Sequence, residues 1–288
     1  MLYRLYGLTI DSPWQLPCPA GSGPADVRFV HSRRRPSPAP RDWFERTVLT
    51  DGSEHLIWAD HFEFRISPDG GIVSYLPLAE ATHAMVETLL LGQVLSFALL
   101  KLGREPIHAT VLERHGRAIA LTGFSGQGKS TLAAALLTRG WRMMTDDLMV
   151  LKGLDVLPGM PRIKLYPRSA RILKMRGIPM DKGATKELIL LPASMFCGEV
   201  TPLARVYALR NTDAGRVTVR RLSAKAAFIV LTSNTFNRRV TEGERLRQQF
   251  TEATNLALVV PVKSVSFRRT IRGLGATCDA IDQDLSRP

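Results

Sequence analysis

Residues 123–130 read Gly-Phe-Ser-Gly-Gln-Gly-Lys-Ser. This is a complete phosphate-binding loop, with its glycines, lysine and hydroxyl residue at the required spacing. The apolar run Ala118–Thr122 enters it as a strand, and Thr131–Arg139 leaves it as a helix. Successive backbone N–H groups and the helix N-terminus then form a cradle for anionic oxygens. Gly126 and Gly128 let the backbone curl where a Cβ would collide. Lys129 reaches toward β- and γ-phosphates, and the Ser130 hydroxyl suits Mg²⁺. The candidate nucleotide-binding residues are Gly123, Ser125, Gly126, Gln127, Gly128, Lys129, Ser130 and Thr131, with ATP and Mg²⁺ as the implied cofactors.

Outward from the loop, His108–Glu113 and Arg117–Thr122 read as two strands joined by Arg114-His115-Gly116. A hairpin just before the loop gives the loop-bearing strand an antiparallel neighbour, so a mixed sheet is expected rather than a purely parallel one. Past the helix, Gly140 suits a helix end. Trp141–Thr145 reads as a strand that delivers Asp146-Asp147 at its end. Two adjacent carboxylates near a phosphate loop have a clear use. One holds Mg²⁺, directly or through water, and the other accepts the proton of an attacking hydroxyl.

His108, the loop at 123–130, Arg139-Gly140 and Asp146-Asp147 together resemble the core of the HPr kinase/phosphorylase family. A histidine lies 15 residues before the first loop glycine, and the aspartate pair begins 17 residues after the loop lysine. The resemblance is strong over about residues 105–175 and loose over 176–275. It implies an α/β fold: a mixed-sheet phosphate-loop domain of the HPr kinase and phosphoenolpyruvate carboxykinase type. It also implies phosphoryl transfer from ATP to a serine hydroxyl. By the same resemblance, Lys129 binds the phosphates, Ser130 and Asp146 serve the metal, Asp147 is the general base, and His108 tunes the carboxylates. The two aspartate roles are interchangeable at this level. Within the family, the pattern is closest to a divergent branch found with peptide-modifying gene clusters, some members of which look like kinases for a serine of lasso-peptide precursors.

The chain also departs from the family. A Glu-x-Arg-Gly-Leu-Gly signature should follow the aspartates, and Pro158–Pro167 stands there instead. The resemblance therefore does not extend to the phosphorylase half of the family's activity. Ile271-Arg-Gly-Leu-Gly275 lies on the wrong side of the domain in chain order and is read as coincidence. Arg162, Lys164, Arg168 and Arg171 follow the aspartate strand closely. They suit a phosphoryl group or an acidic peptide, with Arg162 and Lys164 as substrate-binding candidates. Lys182 and Lys186 are weaker candidates for the same work. His115 is a turn residue without a role.

The remaining sequence sets the context. Strands are expected at 2–10, 27–30, 55–59, 61–66 and 72–76, with a turn at Pro68–Gly71. They make residues 1–78 a small β-rich unit before a catalytic domain at 79–288. Arg33–Arg41 is a stiff, basic, exposed loop. The apolar run 84–100 is short for a membrane span and reads as a buried helix. Strands at 204–210 and 217–221 flank a turn at 213–215; helices at 223–231 and 242–254, a strand at 257–267 and a closing helix complete the chain.

Three scattered cysteines, Cys18, Cys197 and Cys278, suggest neither a disulfide framework nor a zinc site. The first residues lack a signal-peptide pattern, which together with the triphosphate loop points to the cytoplasm. A net charge of +13 favours an acidic partner. The partner expected is a protein or peptide substrate, acidic in character, with no membrane; an oligomer is compatible with the sequence. The alternatives are a small-molecule kinase or carboxykinase-like enzyme, and a nucleotide-regulated protein that binds nucleic acid. Cations scattered without aromatic interleaving make nucleic acid the less favoured partner. A Leu-Ser-Gly-Gly transporter signature and an Asn-Lys-x-Asp guanine-reading motif are both missing.

Overall fold

The computed structural model describes residues 1–179, 185–213, 215–238 and 240–287. Two compact units divide at Arg104/Glu105, after the apolar helical segment that the sequence reading groups with the second.

The first unit, from Met1 to Arg104, is built on seven strands. They are β1 (Leu2–Leu5), β2 (Leu8–Asp11), β3 (Val27–His31), β4 (Phe44–Val48), β5 (Glu54–Trp58), β6 (Phe62–Ile66) and β7 (Ile72–Pro77). Their order is β1-β2-β3-β7-β6-β5-β4. The single strand expected at 2–10 is a hairpin, because Tyr6 and Gly7 take left-handed conformations, φ 53° and 69°. β4 escaped sequence detection because it lacks a buried face: no residue in it is fully buried, so no apolar alternation marks it. Ser37 ties the Pro-rich loop down, its N–H and hydroxyl donating to the Glu63 carboxylate.

The apolar segment His83–Lys101 forms α1 (His83–Leu89), a π-turn at Leu90–Val94 and α2 (Leu95–Lys101). Thr82 caps it by accepting from the Met85 N–H. The segment is long and apolar enough to cross a membrane by length and composition, and half of its apolar window is buried inside the protein.

The second unit contains β8 (Ile107–Arg114), β9 (Arg117–Thr122), α3 (Lys129–Leu137), β10 (Arg142–Thr145), β11 (Leu148–Lys152), β12 (Asp155–Leu157) and β13 (Arg162–Leu165). It continues with α4 (Pro167–Ile172), β14 (Ile178–Pro179), β15 (Glu187–Leu190), β16 (Thr201–Asn211), β17 (Thr218–Arg221), α5 (Ala224–Ser233), α6 (Gly243–Val259), β18 (Val262–Phe267) and α7 (Leu274–Ser286). β9 pairs antiparallel with β8 and parallel with β16, which in turn runs parallel to β18. The sheet is mixed and the class is mixed α/β, as the hairpin ahead of the loop implies. β13, β15 and β14 form a separate small antiparallel sheet.

Period-two alternation explains why both faces of the main sheet are covered. Ile119 and Leu121 of β9 join Tyr207, Leu209, Val265 and Phe267 on one face, packed with α3 and α7. Ala118 and Ala120 point the other way, with Val206 and Val262, toward α5 and α6. The strand expected at 257–267 is shorter than the apolar run suggests. α6 keeps Ala257–Val259, and Pro261 separates helix from strand because it offers no N–H to continue the helix.

Candidate active site

β9, β16 and β18 run parallel, so their C-terminal ends share one sheet edge. That edge is where ligands bind in α/β sheets, beyond the strands and against helix N-termini. The loop at 123–130 leaves β9 there and enters α3, whose N-cap is Gly128 at φ 95°. Gly126 is also left-handed, at φ 82°. A side chain at either position would strain the curl. At Gly123 a Cβ would overlap the Gln127 Oε1 atom and come within 3.4 Å of the Leu209 carbonyl oxygen. Gln127 uses that same Oε1 to accept the Phe124 N–H at 2.9 Å. Gly123 and Gln127 therefore shape the loop from beneath.

Lys129 is buried and donates to the Gly123 carbonyl at 2.7 Å and the Phe124 carbonyl at 3.3 Å. Burial lowers its pKa, against the pull of Asp146 and Asp147. Its ammonium is held over the loop by neutral acceptors only, so an anion could take their place. Thr131 Oγ1 lies 3.2 Å from Ser169 Oγ and fastens the start of α3 to α4.

The aspartate pair occupies the turn between β10 and β11. β11 pairs with β8, setting Leu148 opposite His108, and the Ala109 N–H donates to the Asp147 carbonyl at 3.2 Å. This pairing carries His108 to the aspartates. Asp147 sits at φ 73°, a left-handed conformation uncommon for a residue with a side chain. The two carboxylates differ sharply in surroundings. Asp146 is buried and fully engaged: Thr110 Oγ1 donates to its Oδ1 at 2.7 Å and the Lys164 N–H to its Oδ2 at 3.1 Å. Burial first, and then the charge of Asp147, push its pKa up. Asp147 faces the pocket and receives the Lys164 ammonium at 2.8 Å. Burial alone would raise its pKa, but Lys164 outweighs it and holds the carboxyl at about 2. His108 is pushed down to about 4 by burial and by Lys129, so its imidazole is neutral near pH 7.

His108, Lys129, Asp147 and Lys164 line one pocket of about 690 Å³. Of the residues singled out from sequence, His108, Ser125, Gly126, Gly128, Lys129, Ser130, Thr131, Asp147 and Lys164 reach it. Gly123, Gln127 and Asp146 lie behind its wall, and Arg162 is buried at the start of β13, away from the lining. Arg168 and Lys186 do reach it. Lys182 lies outside the described residues.

Sequence reasoning missed one whole wall. The segment after β18 contributes Arg269, Thr270, Ile271, Arg272 and Leu274. Arg269 donates to the Gly126 carbonyl and runs across Gly126 and Gly128. The Arg-Gly-Leu-Gly run at 272–275, set aside on chain order, thus begins in the pocket. Chain order misled because β18 is separated from β9 only by β16, in the same direction. Among the described residues, no group of three or more His, Cys, Asp or Glu could hold a metal by itself.

No family model matches the chain. Among curated proteins, it is 32% identical over 109 residues to the HPr kinase/phosphorylase of Lactobacillus delbrueckii subsp. bulgaricus, covering 34% of each chain. It is 25% identical over 182 residues to the HPr kinase/phosphorylase of Shouchella clausii, covering 59% of this chain and 50% of that one. This chain is HPr kinase-like. It spans about a third to a half of the length of these relatives. The solved Hpr(Ser) kinase/phosphatase from Coxiella burnetii aligns over 62% of this chain and 95% of its own, at 14% identity and a TM-score of 0.32, a likeness too distant to argue from.

Proposed function

We propose that this chain is an ATP- and Mg²⁺-dependent kinase that phosphorylates a serine hydroxyl of a protein or peptide. The observation that supports it best is the pairing of two halves in one pocket: the loop with Lys129, and the ionised, pocket-facing carboxylate of Asp147. A phosphoryl acceptor needs a group to take its hydroxyl proton, and the transferring phosphoryl group needs positive charge and aligned N–H donors. Asp147 supplies the first, and Lys129 with the loop supplies the second. The acceptor oxygen forms the new P–O bond, the bond to the β-phosphate breaks, and the proton goes to Asp147.

The residues suit the cofactors. The glycine curl leaves space and N–H groups for phosphate oxygens. Mg²⁺ is commonly held by one or two carboxylates, phosphate oxygens and waters rather than by an all-protein cage. Ser130, with the pocket-facing Asp147 acting directly or through water, meets that need, while Asp146, expected from sequence to serve the metal, is engaged by Thr110 and Lys164 outside the lining. Bound there, the ion would neutralise charge on the phosphates. Neutral His108, in the lining of the same pocket, would tune the carboxylate's surroundings. The finer fold assignment, a phosphate-loop domain of the HPr kinase and phosphoenolpyruvate carboxykinase type, is part of the same proposal and is supported by the β8–β9 hairpin leading into the loop.

A serine in a lasso-peptide precursor is the acceptor we adopt from the resemblance. Incubation with labelled ATP, Mg²⁺ and such a precursor, followed by mass spectrometry, tests the reading. Phosphoserine on the peptide is expected. ATP turnover with phosphate on a small metabolite, and none on any protein or peptide, would replace it with the small-molecule alternative.

A further inference from the structure

The pocket contains far more positive charge than a nucleotide needs. Lys129, Lys164, Arg168, Lys186, Arg269 and Arg272 line it, against the single carboxylate of Asp147. Lys164 is matched by that carboxylate. The others make no ion pair with an acid among the described residues, although Asp146 and Asp147 act on Lys129 without touching it. Lys129 and Arg269 rest on loop carbonyls. Lys186 Nζ lies 5.4 Å from the centre of the Tyr166 ring, a seat that holds the ammonium without neutralising it. Arg168 and Arg272 are exposed and make no ion pair among the described residues.

A magnesium triphosphate brings a net charge of roughly −2. It leaves about three of the five unmatched cations without a counter-charge. Uncompensated cations gathered at one concave site are costly unless an anion is meant to enter. They also come from four separate parts of the chain: the start of α3, α4, the approach to β15, and the segment after β18. A chance run of basic residues would cluster in sequence instead.

Location divides their work. Arg269 crosses the loop glycines and so belongs with the phosphates. Lys186 lines the same pocket as Asp147, His108 and Lys129, with its ammonium over the Tyr166 ring. Arg168 is on α4, next to Ser169, which touches Thr131.

We infer that Arg168, Lys186 and Arg272 form an acceptor subsite for carboxylates flanking the target hydroxyl, so that the substrate is an acidic peptide segment. The inference rests on the kinase reading and names its substrate class. It also discriminates: a serine flanked by lysine or arginine would meet like charge in a confined site and be rejected.

The test is binding and transfer with three serine peptides, flanked by Glu, Ala or Lys, on the protein loaded with Mg²⁺ and a non-hydrolysable ATP analogue, then with ATP. The Glu peptide should bind at least about tenfold tighter than the Lys peptide. Arg168→Glu and Lys186→Glu should each reverse that order, with each variant's peptide affinities compared at saturating analogue. Because the whole chain is basic, Arg33→Ala/Arg34→Ala/Arg35→Ala in the exposed loop serves as control and should change nothing. Equal binding of the three peptides would overturn the inference. So would a preference abolished by the loop variant but not by the pocket variants, or an oligonucleotide that displaces the Glu peptide at far lower concentration. If the Glu peptide binds as expected yet no peptide is phosphorylated, the kinase reading and this inference fall together. If all three are phosphorylated equally, the kinase reading stands and this inference falls.

Discussion

Lys164 grips both members of the aspartate pair through different atoms: its ammonium meets Asp147 at 2.8 Å, and its main-chain N–H meets Asp146 at 3.1 Å. β13 therefore fixes the turn between β10 and β11, and the same lysine keeps Asp147 ionised. Replacing the side chain separates these effects, since the main-chain bond survives. In Lys164→Met, the Asp147 pKa should rise from about 2, because burial then acts without its main opponent. A base is competent only above its pKa, so the acid limb of the kcat profile should move to higher pH. A limb that stays in place would remove Asp147 as the titrating base.

Asp147→Asn keeps the shape and removes the carboxylate proposed as the base. Phosphoryl transfer should fall by at least about a hundredfold, the lower range for a lost general base. Analogue binding by calorimetry should stay near the parent value.

Lys129→Ala acts on the donor instead. A hydrogen bond to a charged partner is worth about 1.5–3 kcal/mol, so nucleotide Kd should rise about tenfold or more. Titration with ATP and with ADP reads the loss.

His108 makes the folded state acid-sensitive. The unfolded chain binds its proton near pH 6.5, whereas the folded protein resists it down to about 4. Between those values the unfolded state holds more protons, so stability falls as pH drops through this window. His108→Asn should flatten the decline, as followed by urea melts of the nucleotide-free protein at pH 7, 6 and 5.

A structural contact away from the pocket gives a stability prediction. Asp282 on α7 accepts the buried Trp141 indole N–H at 2.9 Å and Arg114 at 2.8 Å. Asp282→Ala strands the indole N–H in the interior, at a cost of about 1–3 kcal/mol. Thermal unfolding should show a lowered Tm with unchanged nucleotide affinity.

Local signals made part of this protein readable in advance. The loop at 123–130, the hairpin before it and the helix after it depend on glycines, alternation and turn residues close in sequence. The aspartate pair announced itself by position. What stayed hidden was long-range. β4 lacked a buried face to alternate, the Tyr6-Gly7 turn was a two-residue event inside an apolar run, and Ala257–Val259 looked like strand until Pro261 divided it from β18.

The residues alone determined that a glycine-rich curl joins a strand to a helix N-terminus and which lysine, hydroxyl and carboxylates stand near it in sequence, because these are properties of contiguous chain. Only the tertiary structure decided that Asp147 faces the pocket while Asp146 lies behind it, and that Arg269 and Arg272 complete the wall. The first outcome depends on β8 pairing with β11 and on Lys164 of β13, and the second on strands β9, β16 and β18 sharing a direction. Parallel pairing brings distant strand ends to one edge, and no local pattern records which strands will be neighbours.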